Sequence, residues 1–242
     1  MRHRLILIAI AIAILASLAL PGSALAVKFG LVHWTEGLGF FAGVAPYLAI
    51  GAALLSIAAL VASFFPPRRH RLLSIVALAF SAGMLAIPLQ MRATAEALPF
   101  IHDITTDTAD PPAFVAAVAL RQPGENDIAY GGEEIAAQQR QGYPDLKSLQ
   151  LALAPAQAFA LALRTAEAMD WEIVAQAPEE GRIEAVATSF WFGFKDDVIV
   201  RLRPVGSGTR LDLRSASRVG QSDLGANAKR IRAYLEELQV SM

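Results

Sequence analysis

The order of apolar and polar positions divides the chain into two parts. Three long apolar segments occupy residues 5–26, 40–65 and 72–91, and the second and third contain no charged residue. A helix needs roughly 20 apolar residues to cross about 30 Å of hydrocarbon. The pattern therefore predicts a membrane region over residues 1–91, a linker over 92–112 and one extracytoplasmic domain over 113–242.

The first apolar segment has two interpretations. It follows Arg2 and Arg4, and Ala24-Leu25-Ala26 has the small-x-small form of a signal-peptidase cleavage site. As a retained anchor it gives three membrane helices, and as a cleaved signal it leaves two.

The positions of Lys and Arg predict the orientation in the membrane. Short loops rich in these residues stay on the cytoplasmic side. Arg2 and Arg4 mark the N-terminus as cytoplasmic, and Arg68, Arg69 and Arg71 mark the loop between the second and third segments as cytoplasmic. We therefore expect a multi-pass protein of the inner (plasma) membrane of a bacterium, with its C-terminal domain in the periplasm.

Residues after the linker alternate between helical and strand-like patterns. Segments with apolar residues three and four positions apart, or opened by Pro, predict helices at Ala113–Arg121, Pro155–Met169 and Ser222–Val240. Short apolar or alternating runs predict strands at Leu149–Leu153, Trp171–Ala177, Arg182–Ser189, Asp197–Arg203 and Thr209–Ser217. The domain is therefore predicted to be α+β.

The last two strands indicate how the sheet is covered. Val200 and Leu202 fall on one face, whereas Arg201 and Arg203 fall on the other; in the last strand Leu211 and Leu213 face the core. One apolar and one polar face are typical of an antiparallel sheet that packs on one side only. We expect about four to five strands, with helices on the apolar face and the arginine face open.

Charge and composition exclude several classes of function. Six of the 21 Lys and Arg residues precede Arg92, but only one of the 22 Asp and Glu residues does so. The C-terminal domain is therefore acidic, which argues against nucleic-acid binding. The chain has no cysteine, so disulfides, thiolate metal sites and thiol nucleophiles are excluded. No cofactor is predicted.

The arginines of the open face suggest a site for an anion. A guanidinium group binds phosphate or carboxylate through two hydrogen bonds, and helix N-termini attract anions. The predicted ligand-binding residues are Arg201, Arg203, Arg214, Ser217, Arg218 and Asp223. The alternative is a structural network in which neighbouring acids neutralise these arginines and Asp223 pairs with Arg218.

Two further groups of residues are weaker candidates for catalysis. His102 is the only histidine of the domain and would have to be the base of any Ser-His-acid arrangement, but no Gly-x-Ser-x-Gly turn is present. Asp196 and Asp197 are candidates for an acid/base pair, although neighbours on a strand face opposite ways. No catalytic residue is assigned.

Two clusters allow a structural or a binding interpretation. Asp103, Asp107 and Asp110 have the oxygen ligands that calcium prefers, but acids also form turns, and no metal site is predicted. The aromatic run 190–194 is either core packing or a loop tip that enters the membrane interface.

Several sequence blocks in a fixed order resemble a known family. They are Ile104-Thr105-Thr106-Asp107, Asp110-Pro111-Pro112, Tyr143-Pro144-Asp145, Gly181-Arg182-Ile183-Glu184-Ala185, Phe194-Lys195-Asp196-Asp197-Val198, Arg214-Ser215-Ala216-Ser217-Arg218-Val219-Gly220, Ser222-Asp223-Leu224-Gly225-Ala226-Asn227 and Arg230-Ile231. Together they resemble the bacterial family called domain of unknown function 1499 over about residues 100–239. The resemblance implies an uncharacterised envelope domain and supplies no activity.

These observations give three hypotheses for function. The first is a non-enzymatic domain that binds a ligand or partner on the extracytoplasmic face, with the bilayer, an anionic lipid or an envelope protein as partners. The second is a hydrolase or lipid-modifying enzyme close to the membrane. The third is a structural factor in envelope assembly.

Overall fold

The computed structural model describes residues 2–66 and 70–241. Arg68 and Arg69, on which part of the orientation prediction depends, lie outside the described residues. The chain forms two compact units, Met1–Glu96 with Phe190–Gly193, and Ala97–Ser189 with Phe194–Met242.

The first unit is helical. Its helices are α1 (Arg2–Ser17), α2 (Ala19–Lys28), α3 (Trp34–Gly39), α4 (Ala45–Ala62) and α5 (Arg71–Ala97), and a π-helical turn, Phe40–Val44, joins α3 to α4. Three helical stretches are long and apolar enough to cross a membrane, namely Arg4–Lys28, Trp34–Ala62 and Arg71–Ala97. The prediction of three candidate membrane helices is therefore confirmed, and α5 continues beyond the predicted end at Met91.

Small residues at the contacts let these helices pack closely. Ile6 and Ile10 of α1 pack with Ala59 of α4 and Ala77 of α5. The buried Ser17 donates a hydrogen bond of 3.1 Å to Ser81 of α5. Such close contacts need small side chains, because they let helix backbones approach one another.

The second unit is built around an antiparallel sheet. Its helices are α6 (Gly132–Gly142), α7 (Pro155–Ala168) and α8 (Ala226–Val240). Its strands are β1 (Asp103–Thr105), β2 (Leu149–Leu151), β3 (Glu172–Ala177), β4 (Arg182–Thr188), β5 (Lys195–Val205) and β6 (Gly208–Ser217). The order is β1-β6-β5-β4-β3, and β2 also pairs with β6. The α+β class is confirmed.

Helices α7 and α8 cover the apolar face of the sheet. Val200 of β5 and Leu213 of β6 share a buried core with Ala162 of α7 and with Ile231 of α8. The Tyr234 hydroxyl donates to the Ala162 carbonyl at 2.8 Å, and this bond ties the two helices together. The predicted assignment of apolar residues to this face is therefore confirmed.

The opposite face is not open, contrary to the prediction. A segment that runs from Thr106 to Tyr130, called here the cover segment, packs on it. Phe114 and Ala117 of this segment form a small cluster with Ile199 and Ala216 of the sheet. The polar face is closed because its charged side chains bind groups of the cover segment.

One predicted helix is shorter than expected and two elements were not predicted, each for a physical reason. Only Ala117–Leu120 forms a short 3-10 helix within the predicted helix 113–121, because Glu184 binds the preceding amides. Helix α6 was missed because it has too few apolar residues to show a periodic pattern. Strand β1, within the predicted linker, owes its place to pairing with β6.

Candidate functional site

Arg201 and Arg203 are engaged by acidic side chains. Arg201 donates to Asp212 at 2.8 Å and to Asp107 at 3.1 Å, and only 12% of its side chain is exposed. Arg203 donates to Asp110 at 2.5 Å, with about half of its side chain exposed. The hydrogen bond from Arg203 holds the pKa of the Asp110 carboxyl below its usual value. The charges of both arginines are therefore balanced within the fold.

Arg214 lies in a separate buried pair. Its guanidinium binds both carboxylate oxygens of Asp103, at 2.9 and 2.7 Å, and also donates to the carbonyls of Pro112 and Ile128. The guanidinium carbon lies 4.9 Å from the ring centroid of Phe114. All of these contacts lie inside the domain. Through them the Arg214 guanidinium attaches the cover segment to β6.

Arg218 belongs to a third cluster. Both Arg218 and Arg121 bind the fully buried carboxylate of Asp197, at 2.7 and 2.8 Å. The neighbouring Asp196 binds Arg230 instead. The two adjacent carboxylates thus have different partners and do not form an acid/base pair.

Ser217 and Asp223 have structural contacts at the start of α8. The Ser217 hydroxyl accepts a hydrogen bond from the Asn227 side chain at 2.9 Å. Asp223 accepts from the amides of Gly225 and Asn227, both at 2.8 Å, and so satisfies amides at the start of the helix. Burial raises the pKa of Asp223, and these amides oppose the increase. The six predicted residues therefore fall into several groups, and each group has partners inside the domain.

The three acids considered for calcium are bound to arginines. Asp103 binds Arg214, Asp107 binds Arg201, and Asp110 binds Arg203. Within residues 2–66 and 70–241, no group of three or more His, Cys, Asp or Glu side chains is arranged to hold a metal ion.

A pocket of about 420 Å³ lies in the second unit, where the start of β1 meets the end of the cover segment. Pockets of this size are typical of small-molecule sites. Its wall combines apolar and polar side chains. The residues that line it are Phe100, Ile101, His102, Asp103, Asn126, Asp127, Ala129, Tyr130, Gly131, Ile135 and Gln221.

Two residues that line the pocket each bury a polar atom that has no hydrogen-bond partner among the described residues. These atoms are Nδ1 of His102 and the hydroxyl oxygen of Tyr130, and both are shielded from solvent. A buried polar group without a partner costs about 1–3 kcal/mol. A bound molecule or an ordered water that supplied the missing partners would recover that free energy.

Hydrogen bonds hold the backbone at His102 and the side chain of Asn126, which also lines the pocket. The His102 carbonyl accepts from the Ser217 amide at 2.9 Å and from the Asn227 side chain at 2.8 Å. Asn126 donates through its side chain to the carbonyls of Ser217 and Gly220, at 3.0 and 2.7 Å. These hydrogen bonds hold two parts of the pocket wall in place.

Electrostatics favour the protonated form of the Tyr130 hydroxyl. Burial, together with the nearby negative charge of Asp103, raises the pKa of Tyr130 from 10.0 to about 12. At neutral pH the hydroxyl is protonated with or without this shift, and it is able to donate a hydrogen bond. The imidazole Nδ1 of His102 donates or accepts according to its tautomer.

Sequence reasoning named only part of this pocket. It considered His102 and Asp103, but interpreted them as linker residues. Tyr130 and Gln221 carried no signal, because a single Tyr or Gln in a turn-rich stretch has no characteristic spacing. Only the folded chain brings these distant positions together.

Comparison with known proteins gives one informative result. The crystal structure of TTHA0849 from Thermus thermophilus shares 14% identity and covers 39% of this chain and 92% of its own, with a TM-score of 0.25, so it carries no inference here. No curated protein matches the chain. The family model described as "Protein of unknown function (DUF1499)" matches residues 103–238. Since this match spans more than half of the chain, the protein belongs to the DUF1499 family.

Proposed function

We propose that this protein is a membrane-anchored binding protein whose α+β domain takes up a small ligand at the extracytoplasmic face. The pocket around His102 and Tyr130 is the ligand site. The observation that carries the proposal is that two residues lining the same pocket each bury a polar atom without a hydrogen-bond partner. Such groups destabilise the fold. A ligand that supplied the missing hydrogen bonds would explain why they are present.

The composition of the wall favours binding over covalent catalysis. The described side chains that line the pocket include no Ser or Thr hydroxyl, Cys thiol or Lys amine to serve as a nucleophile. Both carboxylate oxygens of Asp103 are bound by Arg214. A hydrolase that forms a covalent intermediate would need a nucleophile within hydrogen-bond reach of its base.

The extracytoplasmic location rests on the helices and on the positive-inside rule. The three apolar helices are long enough to cross a membrane. An odd number of crossings from a cytoplasmic N-terminus places the following domain outside. A cleaved first helix leads to the same side, because the chain after cleavage would begin there.

Native mass spectrometry of the full-length protein in mild detergent tests the proposal. We expect a small molecule to remain bound to the unmodified protein and to be lost from the Tyr130→Phe and His102→Ala variants. Arg203→Gln is the matched control, because Arg203 is about half exposed and does not line the pocket. This control should retain the molecule.

Other outcomes would point to the other hypotheses. An anionic lipid lost from an Arg201→Glu/Arg203→Glu variant but kept by Tyr130→Phe would place recognition on the arginines. A stable protein partner without a small molecule would favour an assembly factor. Retention of the molecule by both pocket variants would contradict the proposed site.

A further inference from the structure

The loop between β4 and β5 exposes two large aromatic side chains. Phe190 is 73% exposed and Trp191 is 53% exposed, and their ring centroids lie 5.3 Å apart in an edge-to-face arrangement. Two adjacent aromatic rings present a large apolar area to solvent, whereas such rings are normally buried. Exposed apolar patches of this kind mark surfaces that contact a partner or a membrane.

A basic residue at the end of a candidate membrane helix is linked to this loop. The Lys28 ammonium donates to the Phe190 carbonyl at 2.7 Å and lies 4.7 Å from the centroid of the Phe190 ring. Lys28 is the last residue of the first candidate span. Lysines at such positions extend their charged ends to the membrane surface.

The loop also packs against the beginning of the second candidate span. Phe192 meets Phe41 edge to face, with 5.2 Å between ring centroids. The connection between the two spans adds further exposed apolar side chains, because Phe29 and Leu31 are 70% and 76% exposed. Aromatic, aliphatic and Lys side chains are thus gathered where two apolar helices end.

We propose that Phe190 and Trp191 insert into the headgroup layer of the lipid bilayer and act as an aromatic anchor of the β4–β5 loop. Tryptophan and other amphipathic aromatic residues are enriched at this depth of a membrane. The Lys28 ammonium faces the phosphate groups of the same layer. None of these residues lines the His102 pocket, so the proposal does not depend on the proposed ligand.

Fluorescence quenching by brominated lipids tests the anchor. The full-length Trp34→Phe/Trp171→Phe variant, in which Trp191 is the only remaining tryptophan, is reconstituted into phosphatidylcholine–phosphatidylglycerol vesicles. We expect lipids brominated near the headgroup to quench most of the Trp191 emission. Lipids brominated near the chain ends should quench it less, and aqueous iodide should have little effect.

A matched variant controls for folding and for nonspecific quenching. In Trp34→Phe/Trp191→Phe the remaining Trp171 is buried and stacks on Tyr234 at 5.1 Å, so its emission should resist both lipid and iodide. If iodide quenches Trp191 and brominated lipid does not, the loop faces water and the anchor is wrong. If neither agent quenches Trp191, the ring is covered by protein and the anchor is equally wrong.

Discussion

Buried carboxylates organise the polar face of the sheet at the level of single residues. Glu184 is fully buried and accepts hydrogen bonds from the amides of Val115, Ala116 and Ala117 at 2.9–3.1 Å. The same carboxylate is also bound by Arg182. One side chain of β4 therefore satisfies the amides at the start of the short 3-10 helix and fixes the cover segment on the sheet.

Replacement of Glu184 tests this role. Glu184→Gln keeps the shape but removes the negative charge and turns one acceptor into a donor, so we expect a loss of about 3 kcal/mol in the free energy of unfolding. Glu180→Gln is the matched control, because Glu180 binds the same arginine but is 63% exposed. Its cost should stay below about 1 kcal/mol. Urea unfolding followed by circular dichroism measures both, and equal costs would contradict the role of Glu184.

The cover segment is the element on which the candidate site depends. It carries Asn126, Asp127 and Tyr130 to the pocket, yet it contains no long helix or strand. Side chains therefore hold it in place. Arg121 donates to Asp197 at 2.8 Å and to the Asn126 carbonyl at 2.6 Å, and so links the segment to β5 just before the pocket wall.

Loss of Arg121 should loosen this element and leave the helical layer unchanged. We expect Arg121→Gln to increase hydrogen–deuterium exchange several-fold over residues 120–130, because opening of a locally held segment costs less than global unfolding. Exchange in α7 and α8 should not change. Arg232→Gln, which removes an exposed pair with Asp145, is the control and should leave the cover segment protected. Unchanged exchange in Arg121→Gln would show that other contacts suffice to hold the segment.

At the scale of the whole molecule, the chain combines an apolar helical unit with an acidic α+β unit. The distribution of Lys and Arg near the apolar segments predicts the side of the membrane on which the second unit lies. Since the chain has no cysteine, a single introduced cysteine would report on one position without background.

Labelling with a membrane-impermeant maleimide tests this orientation. We expect a cysteine at Glu179, an exposed position between β3 and β4, to react in spheroplasts of the expressing bacterium. A cysteine at Arg68 should react only after the membrane is permeabilised, because the positive-inside rule assigns that loop to the cytoplasm. The reverse result would invert the predicted topology and place the ligand pocket in the cytoplasm.

The sequence by itself determined the elements whose signals are local. Long apolar runs predicted the three candidate membrane helices, since hydrophobic length needs no tertiary context. Alternation in β5 and β6 predicted which residues face the helices, because the period of two is set by the strand backbone. The ordered sequence blocks predicted the DUF1499 family, and the match to residues 103–238 confirmed it.

Only the tertiary structure decided the polar face and the pocket. Each arginine that suggested an anion site has a carboxylate partner, and several of these partners, such as Asp103 for Arg214, lie about a hundred positions away in the chain. The side chains of His102 and Tyr130 share a pocket because β1 pairs with β6 and Arg214 fastens the cover segment beside them. Pairing over such separations depends on the packed sheet, and no local sequence pattern predicts it.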